Sequence, residues 1–401
     1  MTKHASSDCA DVVIIGGGIN GTSLAFHLAR EKAGKIVVLE KSQLSTGATG
    51  KSGGLVRCNY TNEAEARLAL TSLEYFQNWE GIVGGSCGFD PCGLVVIVPP
   101  GKLADLKHNM SWQRAMGIPI RLIARDEVNQ IDSSMYMEES IDYVGFEESA
   151  GYADPNAANY SFMQASRDLG AEYRIGTGAV RIVHSNNQVQ GVLTNQGMIH
   201  SPVVVVAAGI GANRLFAPLG LDLGLTPTLT RIVTFRWTPE RTQRHPTCMD
   251  YVHNTWFRPT SESCTLMGSE SGVRPIHGRI RASESVPDHL IREYRELLAS
   301  RYPVMNNANA RGNWAGLFMT SPDSRPVIGP LEPYSGLYTV AGDSGTSFKT
   351  APAIGRGLSE LILHGKASTV DLSPFYASRF DRVQPWVDSH RYSQDNATIS
   401  R

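Results

Sequence analysis

Nothing in this chain asks for oxidised cysteines: the six present, Cys9, Cys58, Cys87, Cys92, Cys248 and Cys264, contain no CxxC pair and no regular framework. Reduced thiols in a cytoplasmic protein are the expectation. Cys87 and Cys92 have no second Cys/His pair to complete a zinc site, so no metal is expected. No segment reaches the ~18 consecutive apolar residues of a membrane span, and the polar start of the chain lacks the apolar core of a secretory leader. Excess charge of one sign is also missing. Thirty-seven Lys and Arg stand against 38 Asp and Glu, a formal net charge of −1, which removes the electrostatic footprint of a nucleic-acid or membrane-surface protein. There is no internal repeat, no low-complexity block and no C-terminal Ser-Lys-Leu. Residues 389–401 are polar and aperiodic and read as the frayed end of a tail that begins at 386.

What is present is length enough for two cores in 401 residues, and a first element that is apolar throughout. Asp11-Val-Val-Ile-Ile-Gly16 suits a strand buried on both faces of a parallel sheet; a helix follows over 22–31, and a second buried strand over 35–39 closes a βαβ unit at Glu40. Between strand and helix lies Gly16-Gly17-Gly18-Ile19-Asn20-Gly21. Gly16, Gly18 and Gly21 have the G-x-G-x-x-G spacing, in which the glycines allow the tight turn, the approach of a pyrophosphate to the backbone, and the packing of helix on strand. Glu40, 24 residues after Gly16, can accept hydrogen bonds from a ribose diol and repels a 2′-phosphate. The unit therefore predicts a dinucleotide site made by Gly16, Gly18, Ile19, Asn20, Gly21, Glu40 and Lys41.

Further along, Asn62-x-x-Glu65 has capping-box spacing, and Leu70, Leu73, Phe76 and Trp79 recur as one helical stripe. From about residue 84 the pattern changes to short β-like runs such as 93–98 with polar helical stretches between them. Segments 171–175 and 179–183 read as strands, and 188–193 with 197–200 as a hairpin. Val203-Val-Val-Val-Ala207 returns to the parallel-sheet style. Segments 231–237, 249–257 and 264–268 read as strands of an antiparallel sheet, and 337–340 as one more buried strand before a helix over 351–363. Two domains interleave on this reading: a Rossmann-like α/β domain and an α+β domain built on an antiparallel sheet.

Four segments resemble the family of FAD-dependent D-amino-acid oxidases, sarcosine oxidases and glycine oxidases, with the flavour of sarcosine oxidase β subunits. They are 12–40; Ser45-Thr-Gly-Ala-Thr-Gly-Lys-Ser-Gly-Gly-Leu-Val-Arg57 with Tyr60; 203–209; and 323–349. The resemblance implies an FAD-binding domain at 1–84, 142–222 and 315–385, a substrate domain at 85–141 and 223–314, and a tail at 386–401. It implies that the turn Gly342-Asp343-Ser344-Gly345-Thr346-Ser347-Phe348-Lys349 lies against the flavin ring and ribityl chain. There the N-terminus of the following helix, with Thr350 as N-cap and Pro352 in its first turn, would favour negative charge on the reduced ring. Thr49, Ser52, Gly53 and Gly54 match a segment passing the isoalloxazine; Val180, Ala208 and Gly209 match positions near adenine and ribose.

The same resemblance assigns Arg57 and Lys349 to the substrate carboxylate, with Tyr60, Tyr251, His253 and Phe257 as pocket-lining candidates. The chain departs from the family in two places. Ala315-Gly316-Leu317 stands where a cysteine tethers flavin, and Gly50 near a family histidine, so non-covalent FAD is expected. Leu266 or Met267 replaces a lysine that assists oxygen reduction, which leaves O2, a quinone or an electron-transfer protein as the acceptor. The implied reaction is hydride transfer to flavin N5 from the C–N carbon of a small amino acid or N-alkyl amino acid, giving an imine. Two alternatives stay open: a 2-hydroxy-acid substrate, or a flavoprotein subunit whose substrate arrives on a carrier or partner subunit.

Overall fold

The computed structural model describes residues 8–241, 244–260, 263–278, 283–381 and 386–393. A six-stranded sheet runs in the order Val327–Pro330, Leu337–Ala341, Val203–Val206, Val12–Ile15, Ile36–Glu40, Glu172–Ile175. All neighbours are parallel except Val327–Pro330 with Leu337–Ala341. Alternation along these apolar strands feeds two cores. Val13, Ile15, Val37, Leu39, Val204 and Val206 face one, and Val12, Ile14, Ile36, Val38 and Val205 face the other, where the helices Ile19–Arg30 and Ala351–His364 lie. The expected hairpin forms as Gln188–Thr194 with Gly197–His200, in a small four-stranded sheet.

A nine-stranded sheet carries the rest. Its order is Arg274–Pro275, Thr226–Arg236, Cys264–Ser269, Thr255–Thr260, Thr247–Asp250, Leu94–Ile97, Tyr143–Glu147, Ile120–Ala124, with Ala310–Thr320 also paired to Thr226–Arg236. It is mixed rather than wholly antiparallel, because Thr247–Asp250 joins Leu94–Ile97 in parallel and so ties two distant stretches of chain together. Segment 249–257 is not one strand. Asp250 accepts from the backbone N–H of Val252 and of His253, and Asn254 takes φ +52°, so the chain turns and Tyr251 and His253 sit in a hairpin loop. Asn62 does cap the helix Glu63–Gln77 by accepting from Glu65 N, while the Glu65 carboxylate is paired with Arg325.

The tail is not frayed over residues 386–393. Asp388 and Tyr392 are buried there, held by side chains of both halves of the molecule; residues 394–401 lie outside the described residues. No helix among the described residues is long and apolar enough to cross a membrane.

A Cβ on Gly355 would stand 2.3 Å from Ser23 Oγ and 2.8 Å from its carbonyl carbon, so Gly355→Ala should lower stability by about 1–3 kcal/mol although alanine is the better helix former, as read by a denaturant midpoint. His245, buried and 2.7 Å from both Pro246 O and Thr265 Oγ1, has its pKa lowered by burial from 6.5 to about 3. As pH falls below 6.5 the unfolded chain takes up a proton that the folded one refuses. This ring's share of stability is therefore lost at about 1.4 kcal/mol per pH unit. The stability gap between the wild type and His245→Gln should accordingly narrow by about 2 kcal/mol from pH 7 to pH 5.

Candidate active site

The glycine loop leaves the carboxyl end of Val12–Ile15 with Gly16 at φ +121°. A Cβ there would stand 2.2 Å from Ala207 O, and one on Gly21 would stand 2.0 Å from Gly16 O. Gly18, the N-cap of Ile19–Arg30, differs: no side chain caps the helix at this residue, and a Cβ on it would meet only Thr49 Oγ1, at 3.1 Å. A side chain at Gly18 would crowd Thr49, and its absence keeps the backbone at the helix N-terminus approachable, as a diphosphate requires. Thr49 Oγ1 accepts from Ile19 N at 3.1 Å, and Asn20 Oδ1 is buried without a protein partner. Glu40 Oε2 accepts from Gly17 N at 2.9 Å and Oε1 from Ser42 N at 2.8 Å, which leaves a second lone pair on each oxygen for a ribose diol.

Lys41 is exposed beside this carboxylate, with Gly178 packed against its stem. Val180, exposed, sits at a bulge two residues on; Ala208 and Gly209 leave the end of Val203–Val206, and a Cβ on Gly209 would meet nothing within 4 Å. The turn after Leu337–Ala341 emerges at the same edge of the sheet. Gly342, Ser344 and Gly345 take φ of +58°, +51° and +79°. Asp343 knits the turn together, accepting from Ser347 Oγ at 2.7 Å through its carboxylate and from Thr346 Oγ1 at 2.9 Å through its carbonyl. Thr350 occupies the N-cap position of Ala351–His364, but its side chain does not cap the helix. Ala353 N is instead taken by Ser72 Oγ at 3.0 Å and Ala351 N by Phe348 O at 3.4 Å. The dipole of that helix remains, whereas the open-amide anion site expected from its sequence is largely filled from within.

Arg57, Tyr60 and Lys349 meet. The Arg57 guanidinium lies 4.6 Å and Lys349 Nζ 5.4 Å from the Tyr60 ring centroid, all three residues buried, and Arg57 also donates to Asn59 O. Tyr251 joins the same apolar cluster as Tyr60 and Phe348, whereas Phe257 packs in a different one. His253 is drawn away, its Nδ1 2.8 Å from Asp250 Oδ2, which also pairs with Arg301. Ser52 Oγ accepts from Gly54 N at 3.2 Å, and Gly54 takes φ +70° with a Cβ position 2.3 Å from Ala153 O, so the 52–54 segment is fixed against the chain leading to the helix Pro155–Asp168.

Several residues around the site had no sequence signal. Glu147, fully buried, accepts from Cys58 N at 2.8 Å and Asn59 N at 2.9 Å and so fixes the backbone that bears Arg57. Burial holds its carboxyl above the usual range against the pull of those N–H donors and of Arg57. Asn159 donates to Gly17 O at 3.0 Å and to Ser45 Oγ at 2.8 Å, tying the glycine loop to the 45–54 segment. Trp256 fills the space over Gly53, where a Cβ would come within 2.3 Å of its ring. Directly across the strand pair from Leu266 stands Arg258, a buried cation that donates to Gly53 O and whose pKa burial lowers to about 10. Leu266 and Met267 face different cores, Leu266 that of Tyr60 and Tyr251. Trp314 Nε1 donates to Lys51 O at 3.1 Å, and Gly316 packs on the Lys51 stem, so the thiol-free segment 314–317 borders the Thr49–Lys51 turn.

The sequence model of the FAD dependent oxidoreductase family matches residues 11–361. Mitochondrial dimethylglycine dehydrogenase of Rattus norvegicus is 25% identical over 386 residues, 92% of this chain and 45% of that protein, so the chain spans about half the length of this relative. Sarcosine oxidase subunit beta of Arthrobacter sp is 23% identical over 390 residues, covering 95% of this chain and 93% of the other. The crystal structure of L-proline dehydrogenase from P. horikoshii matches with a TM-score of 0.87 at 26% identity, over 95% of this chain and 100% of that one. A match that spans both glycine turns and the sheet edge between them leaves one conclusion: this chain belongs to the FAD dependent oxidoreductase family, with FAD as its cofactor.

Proposed function

We propose that the chain oxidises the C–N bond of a small amino acid or N-alkyl amino acid to an imine. The observation that carries the reading is the convergence of Arg57 and Lys349 on the single Tyr60 ring, a cationic clamp suited to a carboxylate. The names of the relatives support the substrate class, since dimethylglycine, sarcosine and proline are all secondary or tertiary amino acids. Gly16, Gly18, Ile19, Asn20, Gly21, Glu40 and Lys41 would hold the diphosphate and ribose, with Val180, Ala208 and Gly209 beside the adenosine. Thr49, Ser52, Gly53, Gly54 and the 342–349 turn would flank the ring. Bound FAD supplies the hydride acceptor.

The protein's own part is to aim the substrate. Arg57 and Lys349 fix the carboxylate, and their positive charge lowers the pKa of the bound amine by like-charge repulsion, so that the nitrogen enters the reaction neutral. As the hydride leaves carbon, the nitrogen lone pair closes the C=N bond. Tyr60, Tyr251 and Trp256 keep water from the reacting carbon. A second reading, in which the chain works as one subunit of a larger complex, draws support from its full-length likeness to a sarcosine oxidase subunit. We place the protein in the cytoplasm, where its six cysteines would stay reduced.

Anaerobic addition of N-methyl amino acids, proline or glycine should bleach the flavin's visible absorbance; bleaching by 2-hydroxy acids alone would replace the amine reading. Arg57→Ala should lower kcat/KM about 10- to 100-fold, the worth of one charge-assisted hydrogen bond, and an unchanged value would remove Arg57 from the clamp. The flavin should be non-covalent: acid precipitation is expected to leave it in the supernatant, and a yellow pellet would contradict this.

A further inference from the structure

Residues 386–393 cross from one half of the molecule to the other, anchored at three points. Trp386 packs against Phe375, with ring centroids 5.7 Å apart, and under the Arg325 guanidinium. Asp388 is buried, pairs with Arg325 and accepts from Thr61 Oγ1 next to Tyr60. His390 stacks on His108 with centroids 3.8 Å apart, lies 2.9 Å from Asp105 through Nδ1, and accepts from Asn109 Nδ2 at 2.7 Å through its carbonyl. Such anchoring orders a polar segment that has little apolar surface of its own to bury. The residue it delivers is Tyr392, only 2% exposed. Its ring meets Tyr251 edge-on at 5.0 Å, its hydroxyl has Asn59 and Asn109 as neighbours, and it lies within the field of Arg57. The same apolar cluster holds Tyr60, Tyr251, Trp256 and Phe348.

We propose that Tyr392 is a specificity-determining residue, carried by the strap 386–393 to close the pocket behind Arg57 and Tyr251 and so to limit the size of the organic group attached to the substrate carboxylate. This rests on the carboxylate clamp proposed above. A strap fits the geometry because Tyr392 and Asp388 are buried side chains of a segment whose other residues are exposed or half-buried, and Asp388 is held through Thr61, the neighbour of Tyr60.

The test is selectivity between two probe carboxylates, acetate and benzoate, titrated into the full-length FAD-loaded protein and followed by perturbation of the flavin's visible spectrum. Tyr392→Ala should raise the affinity for benzoate relative to acetate by about 10-fold or more, as expected when a hydrophobic pocket gains room for extra carbon. Tyr392→Phe, which keeps the ring, should leave the ratio near that of the wild type. His390→Ala, which loosens one anchor, should shift it in the same direction as Tyr392→Ala but less. An unchanged ratio in Tyr392→Ala with FAD retained overturns the strap's role while leaving the clamp standing. If neither acetate nor benzoate perturbs the wild-type flavin, the clamp itself is overturned and the proposal with it. Should Tyr392→Ala lose FAD, the ratio in Tyr392→Met decides: a rise supports the proposal and constancy overturns it.

Discussion

The Gly16 carbonyl oxygen sits where a side chain on Gly21 would have to begin, and Gly16 itself is pressed against Ala207. These two contacts lock the helix Ile19–Arg30, the strand Val12–Ile15 and the exit of Val203–Val206 into one geometry. A methyl group at either glycine would push the helix away from the strand or the two strands' exits away from each other. The direction in which the helix N-terminus points, and hence the place where a diphosphate can lie, is set by this approach of backbone to backbone.

The sheet then gathers the remaining parts. Chain direction reverses its sense of progress at Val12–Ile15: the next strand, Ile36–Glu40, lies on one side and Val203–Val206 on the other, with Leu337–Ala341 beyond it. Such a switch point opens a crevice past the carboxyl ends of the strands. Glu40, the Ala208-Gly209 exit and the Gly342 turn all leave that edge, although each is more than a hundred residues from the next in sequence. The long excursions between these strands supply the nine-stranded sheet, whose Trp256 and Arg258 reach back to Gly53. One edge therefore gathers the residues that would hold the cofactor, and the second sheet reaches toward that edge through Trp256 and Arg258.

What the sequence made legible was what short-range rules govern. Buried strands, the glycine spacing, the acid after the second strand, the Asn62 cap and the second glycine turn each depend on neighbours a few residues away, and each formed. Apart from segment 249–257, where the turn is local, the misreadings came from interactions that span the chain. Thr350 has the right identity for an N-cap, yet Ser72, from another helix, reaches Ala353 N. Segment 249–257 has strand-like composition, yet the Asp250 carboxylate draws two N–H groups into a turn. The tail looked featureless because its order comes from Arg325, Thr61, Asp105 and His108, none of them near it in sequence. Glu147 and Asn159 were silent for the same reason: a buried Glu or Asn bonded to a distant backbone leaves no local pattern.

Glu147 also bears on how a cationic clamp survives inside a protein. A buried guanidinium beside an ionised carboxylate would be largely neutralised before any substrate arrived. Here the carboxyl group nearest in role to Arg57 spends its acceptors on the backbone of Cys58 and Asn59, and burial shifts it toward its protonated form. It also holds in place the loop that carries Arg57. Lys349 is tied to the Gly342 turn through Thr346 O, while the loop of Arg57 is held by Glu147 of the nine-stranded sheet. The Tyr60 ring lies 4.6 Å from the Arg57 guanidinium and 5.4 Å from Lys349 Nζ, so its π-system attracts both cations. A carboxylate substrate would meet both charges here, and their repulsion would favour a bound acid whose amine has lost its proton.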